Sequence, residues 1–372
     1  STFSRIGGIT MLFKPYVLKG LKLRNRIVMA PMTRNRSPGG VPTKEVAAYY
    51  KRRAKAEVGL IISEGIELSH KASSAYPNCP RLDTKEAREG WKRVVEEVKE
   101  VGGAIIAQLW HSGAIRKKGM DPYPQIPGYT PSGLTSPGKR KAHAMTKKDI
   151  HELSEAYTQD AIWCEEIGFD GVELHGAHEY LIDNFFWEVL NERKDSYGGS
   201  IKNRTKFATD IVQSIFNKVG KNFIVGLRFS QWKQQDYEAK LVHSPSELEA
   251  FIKPLKSSGI DFLHTSMRRF WEPEFEGSED NLASWTKAIS ELPTISVGSI
   301  GLNKDFLETT LWDKAAMSAK PEGINRVVSD VEEGKYDLIA VGRALLADPE
   351  WAIKMREGRL KDVIPYTKES QN

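Results

Sequence analysis

The densest chemistry in this 372-residue chain is the run His175-Gly176-Ala177-His178-Glu179-Tyr180, two imidazoles followed closely by a phenol. Three chemistries fit it. Imidazoles at this spacing can ligate a metal, but no third ligand is evident, and a metal is not expected. Both can be satisfied core histidines. Or both can give N–H bonds to one substrate oxygen on which charge builds, with the phenol beside them as proton donor. A second constellation is Gly298-Ser299 with Gly342-Arg343. Glycine lets backbone N–H groups approach an anion, and arginine adds a planar fork of donors, so the pair suits a phosphate clamp. The same glycines would also serve as plain turns.

These residues need elements to hold them. Eight short apolar runs recur along the chain: Arg26–Ala30, Val58–Ser63, Ala104–Leu109, Gly171–Leu174, Phe223–Leu227, Asp261–His264, Pro293–Val297 and Asp337–Val341. Runs apolar on both faces suit parallel strands covered on both sides. Amphipathic stretches lie between them, clearest at Thr84–Val101 and Thr146–Ile167, and repeated at Asn203–Val219 and Ser244–Ser258. Thr146 with Asp149 three residues on predicts a helix N-cap. Eight β–α repeats predict an α/β fold, a single-domain (β/α)8 TIM barrel over residues 11–372. Ser1 to Thr10 read as a leader or tag remnant. The Gly- and Pro-rich stretch from His111 to Ala144 follows the third strand and is expected to form a lid or pocket wall.

In such a barrel the residues that follow the strands face the site. In order they are Pro31-Met32-Thr33-Arg34, Glu64-Gly65, Gln108-Leu109-Trp110-His111, His175 to Tyr180, Arg228-Phe229-Ser230, Thr265-Ser266-Met267, Gly298 to Gly301 and Gly342-Arg343. No lysine immediately follows a strand, which removes the obvious Schiff-base nucleophile. Carboxylates are sparse there, which argues against a magnesium site. No serine or cysteine sits in a recognisable nucleophile elbow.

Composition narrows the partners. The net charge of +5 comes from 54 basic and 49 acidic residues, too even for a nucleic-acid surface. The most basic stretch, Gly138 to Lys148, has no interleaved aromatics and reads as a solvated loop. Cys79 and Cys164 are too few for an iron–sulfur cluster or a zinc knuckle, and a reducing cytoplasm suits them. No apolar run approaches the ~20 residues of a membrane span.

From about Leu12 to about Gly358 the chain resembles the Old Yellow Enzyme family of FMN-containing ene reductases. The motifs are Asn25 to Arg34 at the first strand, His175 to Leu181, Asn191-Glu192-Arg193, Asp195 to Arg204, and Asp337 to Pro349. The resemblance implies a bound FMN and NADH or NADPH as co-substrate. It implies Pro31, Met32 and Thr33 along the flavin, with Thr33 near its C4 carbonyl. The Gly65 backbone and the Gln108 side chain would hold the pyrimidine edge, and Arg228 would sit near N1. Gly298, Ser299, Gly342 and Arg343 would bind the phosphate. NAD(P)H would reduce FMN, which passes hydride to the β-carbon of an α,β-unsaturated carbonyl or nitro compound. His175 and His178 would grip the oxygen of this small activated alkene while Tyr180 protonates its α-carbon. Trp110, Tyr76, Phe270 and Trp271 would line the substrate pocket. The stretches Gln231 to Ala239 and Ser266 to Trp271 depart from better-known members, so the substrate is not implied. A flavin-free isomerase or aldolase barrel would share the phosphate clamp but lacks a strand-end base here. Larger flavin enzymes add a cysteine cluster and a dinucleotide domain, and a non-catalytic flavin-binding barrel would not need the His-His-Tyr set. Monomer and homo-oligomer are both compatible with the sequence.

Overall fold

Chain segments without a polar face become strands covered on both sides. In a computed structural model that describes residues 11–297 and 321–371, all eight apolar runs do so. The strands are β1 (Ile27–Met29), β2 (Leu60–Glu67), β3 (Ile105–Trp110), β4 (Gly171–Gly176), β5 (Ile224–Ser230), β6 (Phe262–Ser266), β7 (Thr294–Val297) and β8 (Leu338–Val341). Every residue in them is buried. Each pairs in parallel with the next, and β8 returns to β1 with Val341 opposite Met29, closing the barrel. The predicted single-domain TIM barrel is therefore the observed fold.

Two apolar layers hold it. Ile27, Met29, Ile61, Ile105 and Leu227 belong to the large cluster shared with the helices. Their alternating neighbours Val28, Leu60, Ile62, Ile106 and Phe262 fill a second cluster. Leu18 and Leu23, from the antiparallel hairpin Tyr16–Leu18 and Leu21–Leu23, complete it. Alternation along each strand sends successive side chains to opposite faces, so one segment serves both layers. Gly226 is required here, because a Cβ at that position would lie 2.1 Å from the Phe262 ring.

The predicted cap at Thr146 is observed, and three further helices start on a capping hydroxyl, the one capped by Ser200 two residues earlier than the pattern at Asn203 implied. Thr84 accepts the Ala87 N–H at 3.1 Å and opens α1 (Lys85–Glu100). Thr146 and Asp149 form a reciprocal capping box at the start of α2 (Lys147–Ile167). Ser200 caps α3 (Ile201–Val219) and Ser244 caps α4 (Pro245–Ser257). Each satisfies an N–H that the helix itself cannot.

The strand ends differ from the sequence reading. Gly65, Gln108, Trp110, His175 and Arg228 lie inside the last residues of their strands, not after them. The apolar pattern stops where polar side chains begin, but the backbone pairing continues: Gln108 sits opposite Glu173, and His175 opposite Arg228. The connection 111–144 is built rather than loose. It holds a turn of 3-10 helix at Gly113–Ile115 and a short parallel pair, Tyr129–Thr130 with His143–Ala144. The buried Arg116 guanidinium donates to the carbonyls of Ser74, Met120, Tyr123 and Ile126. Such side chain–backbone bonds order a segment without leaving a periodic pattern. Cys79 and Cys164 are buried free thiols. Among the described residues, no helix is long and apolar enough to cross a membrane.

Candidate functional site

Because all eight strands run parallel, their C-terminal ends share one rim of the barrel. That topology gathers Pro31, Gly65, Gln108, Trp110, His175, Arg228, Ser266 and Arg343 at the same end. Pro31 is buried, Met32 half-buried and Thr33 exposed as the chain leaves β1. Gly342 follows β8 and is the N-cap of the short helix Arg343–Ala347. The Arg343 guanidinium lies 5.1 Å from the Tyr366 ring. Gly298 and Ser299 lie outside the described residues.

The His-His-Tyr motif folds into one cluster. The His175 ring centre is 5.2 Å from that of His178 and 4.7 Å from that of Tyr180, both edge to face. Trp110 packs edge-on against Tyr180 at 5.2 Å, and Tyr76 stacks on Trp110 at 5.5 Å. The Tyr76 and Tyr180 hydroxyls are 3.2 Å apart. Of the four aromatics assigned to the pocket wall, Trp110 and Tyr76 thus join the cluster. Phe270 and Trp271 form a separate edge-to-face pair whose carbonyls are held by Asn281 and Arg326. Gly65 is required by this packing, since a Cβ there would be 2.5 Å from Trp110 Cε3. A register shift between Ile62 and Gly65 bulges β2 at this level, as bulges near functional rims commonly do.

Burial sets the protonation states. It pushes both His175 and His178 well below the usual imidazole range, and the nearby Arg228 cation adds to the effect. Both rings are therefore neutral at ordinary pH. The Ala177 N–H donates to His175 Nδ1 at 3.3 Å, which puts that ring's proton on Nε2. Burial raises the Tyr180 phenol well above its usual value, so it keeps its proton. Arg228 is fully enclosed; burial lowers it to about 10, opposed by Glu173, and it stays charged. The cluster thus offers neutral N–H donors, a protonated phenol and a fixed cation.

Several partners were not singled out in the sequence. Glu173 links Gln108 Nε2 at 2.9 Å to His264 Nδ1 at 2.7 Å. Glu173 and His264 are charged or polar residues inside otherwise apolar runs, and that interruption was the signal available. Lys233 and Asp183 form a fully buried ion pair at 2.7 Å. Ser266, already among the strand-end residues expected at the rim, has its Oγ 2.7 Å from His178 Nε2 and accepts from Arg228 Nη2 at 3.3 Å. Long-range pairs of this kind have no local sequence pattern.

Residues 11–362 match the family model described as the NADH:flavin oxidoreductase / NADH oxidase family. The chain is 38% identical to 12-oxophytodienoate reductase 7 of Oryza sativa subsp. japonica, covering 93% of this chain and 87% of that protein. It is 31% identical to an NADH oxidase of Thermoanaerobacter brockii, covering 95% of this chain but 52% of that longer protein. Among solved structures it resembles morphinone reductase in complex with tetrahydroNAD, with a TM-score of 0.79 and 27% identity over 97% of this chain and 93% of that one.

Proposed function

The chain belongs to the NADH:flavin oxidoreductase / NADH oxidase family, that of the Old Yellow Enzymes, and on that premise we propose that it is an ene reductase for small activated alkenes. It is a flavin oxidoreductase that uses FMN and a nicotinamide nucleotide. The residues at the rim fit a flavin. Arg228 Nε is buried with no hydrogen-bond partner among the described residues, so a fixed cation still has an N–H to give. An electron-rich ring edge is the acceptor that such a group suits. Gln108 gives one amide hydrogen to Glu173, which leaves the rest of its carboxamide for the same ring. Pro31, Met32, Thr33 and the Gly65 backbone would complete the cradle, with Gly298, Ser299, Gly342 and Arg343 toward the phosphate. When bound, FMN supplies the hydride.

The chain's own groups do the rest. His175 through its Nε2–H, and the His178 ring beside it, hold the oxygen of an α,β-unsaturated carbonyl or nitro group. Being neutral and pre-oriented, they stabilise charge on that oxygen without reorganising, a contribution of roughly 3–4 kcal/mol for a donor of this kind. Tyr180 delivers its proton to the α-carbon, and the Tyr76 hydroxyl holds that phenol in place. Trp110 and Tyr76 wall the pocket, and we assign Phe270 and Trp271 to its outer part. The observation that carries this reading is the meeting of two neutral imidazoles and a protonated phenol beside a buried guanidinium. An anaerobic cycle tests it. NADH or NADPH should bleach the blue absorbance of the holoenzyme, and an enone, maleimide or nitroalkene should restore it. Bleaching with no recovery across that panel would overturn the assignment.

A further inference from the structure

The segment that follows β5 explains how His178 is held. His178 and Glu179 both adopt left-handed backbone conformations, with φ of 61° and 72°, although neither is glycine. Two such residues in succession are strained and persist only where the surroundings over-determine them. Here they do. The His178 N–H donates to Ser230 Oγ at 3.1 Å, and the Gln234 side-chain amide donates to the His178 carbonyl at 2.8 Å. The Gln235 backbone and side chain both donate to the Glu179 carboxylate, at 2.9 and 2.6 Å. The Glu179 N–H donates to Asp183, the partner of Lys233. Trp232 stacks on the His178 ring with centres 4.3 Å apart.

Gln234 is the pivot of this arrangement. Its side-chain amide reaches back across the site to hold the carbonyl of the strained His178.

We propose that Ser230 to Gln235 is a positioning element for the site, in which Gln234 locks the His178 backbone into the one geometry that presents its ring beside His175. Gln234 is a positioning residue that acts through His178. The inference rests on the ene-reductase reading, because it assigns Gln234 a role in substrate reduction and none in flavin reduction.

The test uses the FMN-loaded full-length protein with the variants Gln234→Ala and Gln234→Glu. Flavin reduction by NAD(P)H and its reoxidation by an enone are followed separately, with para-substituted phenol affinity read from the flavin spectrum. In Gln234→Ala, loss of the hydrogen bond leaves the His178 carbonyl unsatisfied, which should slow reoxidation roughly 10- to 50-fold and weaken phenol binding about tenfold. Flavin reduction should change less than about threefold. Gln234→Glu keeps the shape but, when ionised, cannot donate to the His178 carbonyl. Its reoxidation rate should match that of the alanine variant at pH 8 and recover as the pH falls and the carboxyl regains its proton. A space-filling role would instead be rescued by glutamate at every pH. Wild-type behaviour in both variants, or equal loss in both half-reactions with a lowered melting temperature, would overturn the proposal. A wild-type spectrum that does not respond to phenols would sink the ene-reductase reading itself, and this inference with it.

Discussion

Replacing Tyr180 with phenylalanine removes one oxygen and little else. The ring that packs on Trp110 at 5.2 Å and on His175 at 4.7 Å remains. The structural loss is one hydrogen bond to Tyr76 at 3.2 Å, a stability cost of about 1 kcal/mol. The chemical loss is larger, because a positioned general acid contributes roughly 10²–10⁴-fold, or about 3–5 kcal/mol of barrier. Anaerobic stopped-flow separates the two half-reactions. Flavin reduction by NAD(P)H should stay within a few-fold of wild type, and reoxidation by an enone should slow by those two to four orders of magnitude. The pH profile adds a second constraint. Burial raises the phenol and lowers both imidazoles, so neither the acid nor the oxygen donors change protonation across the neutral range. Reoxidation in the wild type should therefore be flat from about pH 6 to pH 9. A Tyr180→Phe enzyme that reduces enones at the wild-type rate would refute the assignment, and so would equal loss in both half-reactions.

Other outcomes follow from the same geometry. His175→Ala combined with His178→Ala should weaken phenol binding by at least about 100-fold while FMN stays bound; titration of the flavin spectrum reads both. Lys233→Met should cost about 3–5 kcal/mol in urea unfolding, because it strands the Asp183 carboxylate in a fully buried site, and adding Asp183→Asn should recover part of the loss. Gly65→Ala should destabilise by roughly 1–3 kcal/mol and shift tryptophan fluorescence, since the new methyl would push against Trp110. Burial raises the Asp160 carboxyl to about 7 from 3.8. The folded chain thus binds that proton more tightly than the unfolded chain, and the residue's contribution is lost as the pH rises from about 4 through 7. Asp160→Asn should remove that decline from thermal melts between pH 5 and pH 8, and an unchanged slope would contradict it.

The barrel was legible because its strands are buried on both faces, which writes an unbroken apolar run into each of the eight segments. The helix at Thr146 was legible because capping is local chemistry: a hydroxyl, and an acid three residues on. The site's side chains were legible as types at strand ends, since parallel strands must share one rim. What escaped was made of contacts across the chain. The Glu173–His264 pair joins strands 91 residues apart, and Gln234 reaches back 56 residues to His178. The ordering of 111–144 hangs on the buried Arg116, whose bonds to carbonyls carry no periodicity. The strand ends were set short because the apolar pattern stops at Gln108 and Arg228, whereas ladder pairing is indifferent to side-chain polarity.

The most direct measurement is a crystal structure of the protein with FMN and a para-substituted phenol bound. The account predicts the isoalloxazine across the rim beside Arg228, with the phenol oxygen roughly 2.7–3.1 Å from a ring nitrogen of His175 and of His178. A flavin seated elsewhere, or a phenol whose oxygen meets neither imidazole, would contradict it.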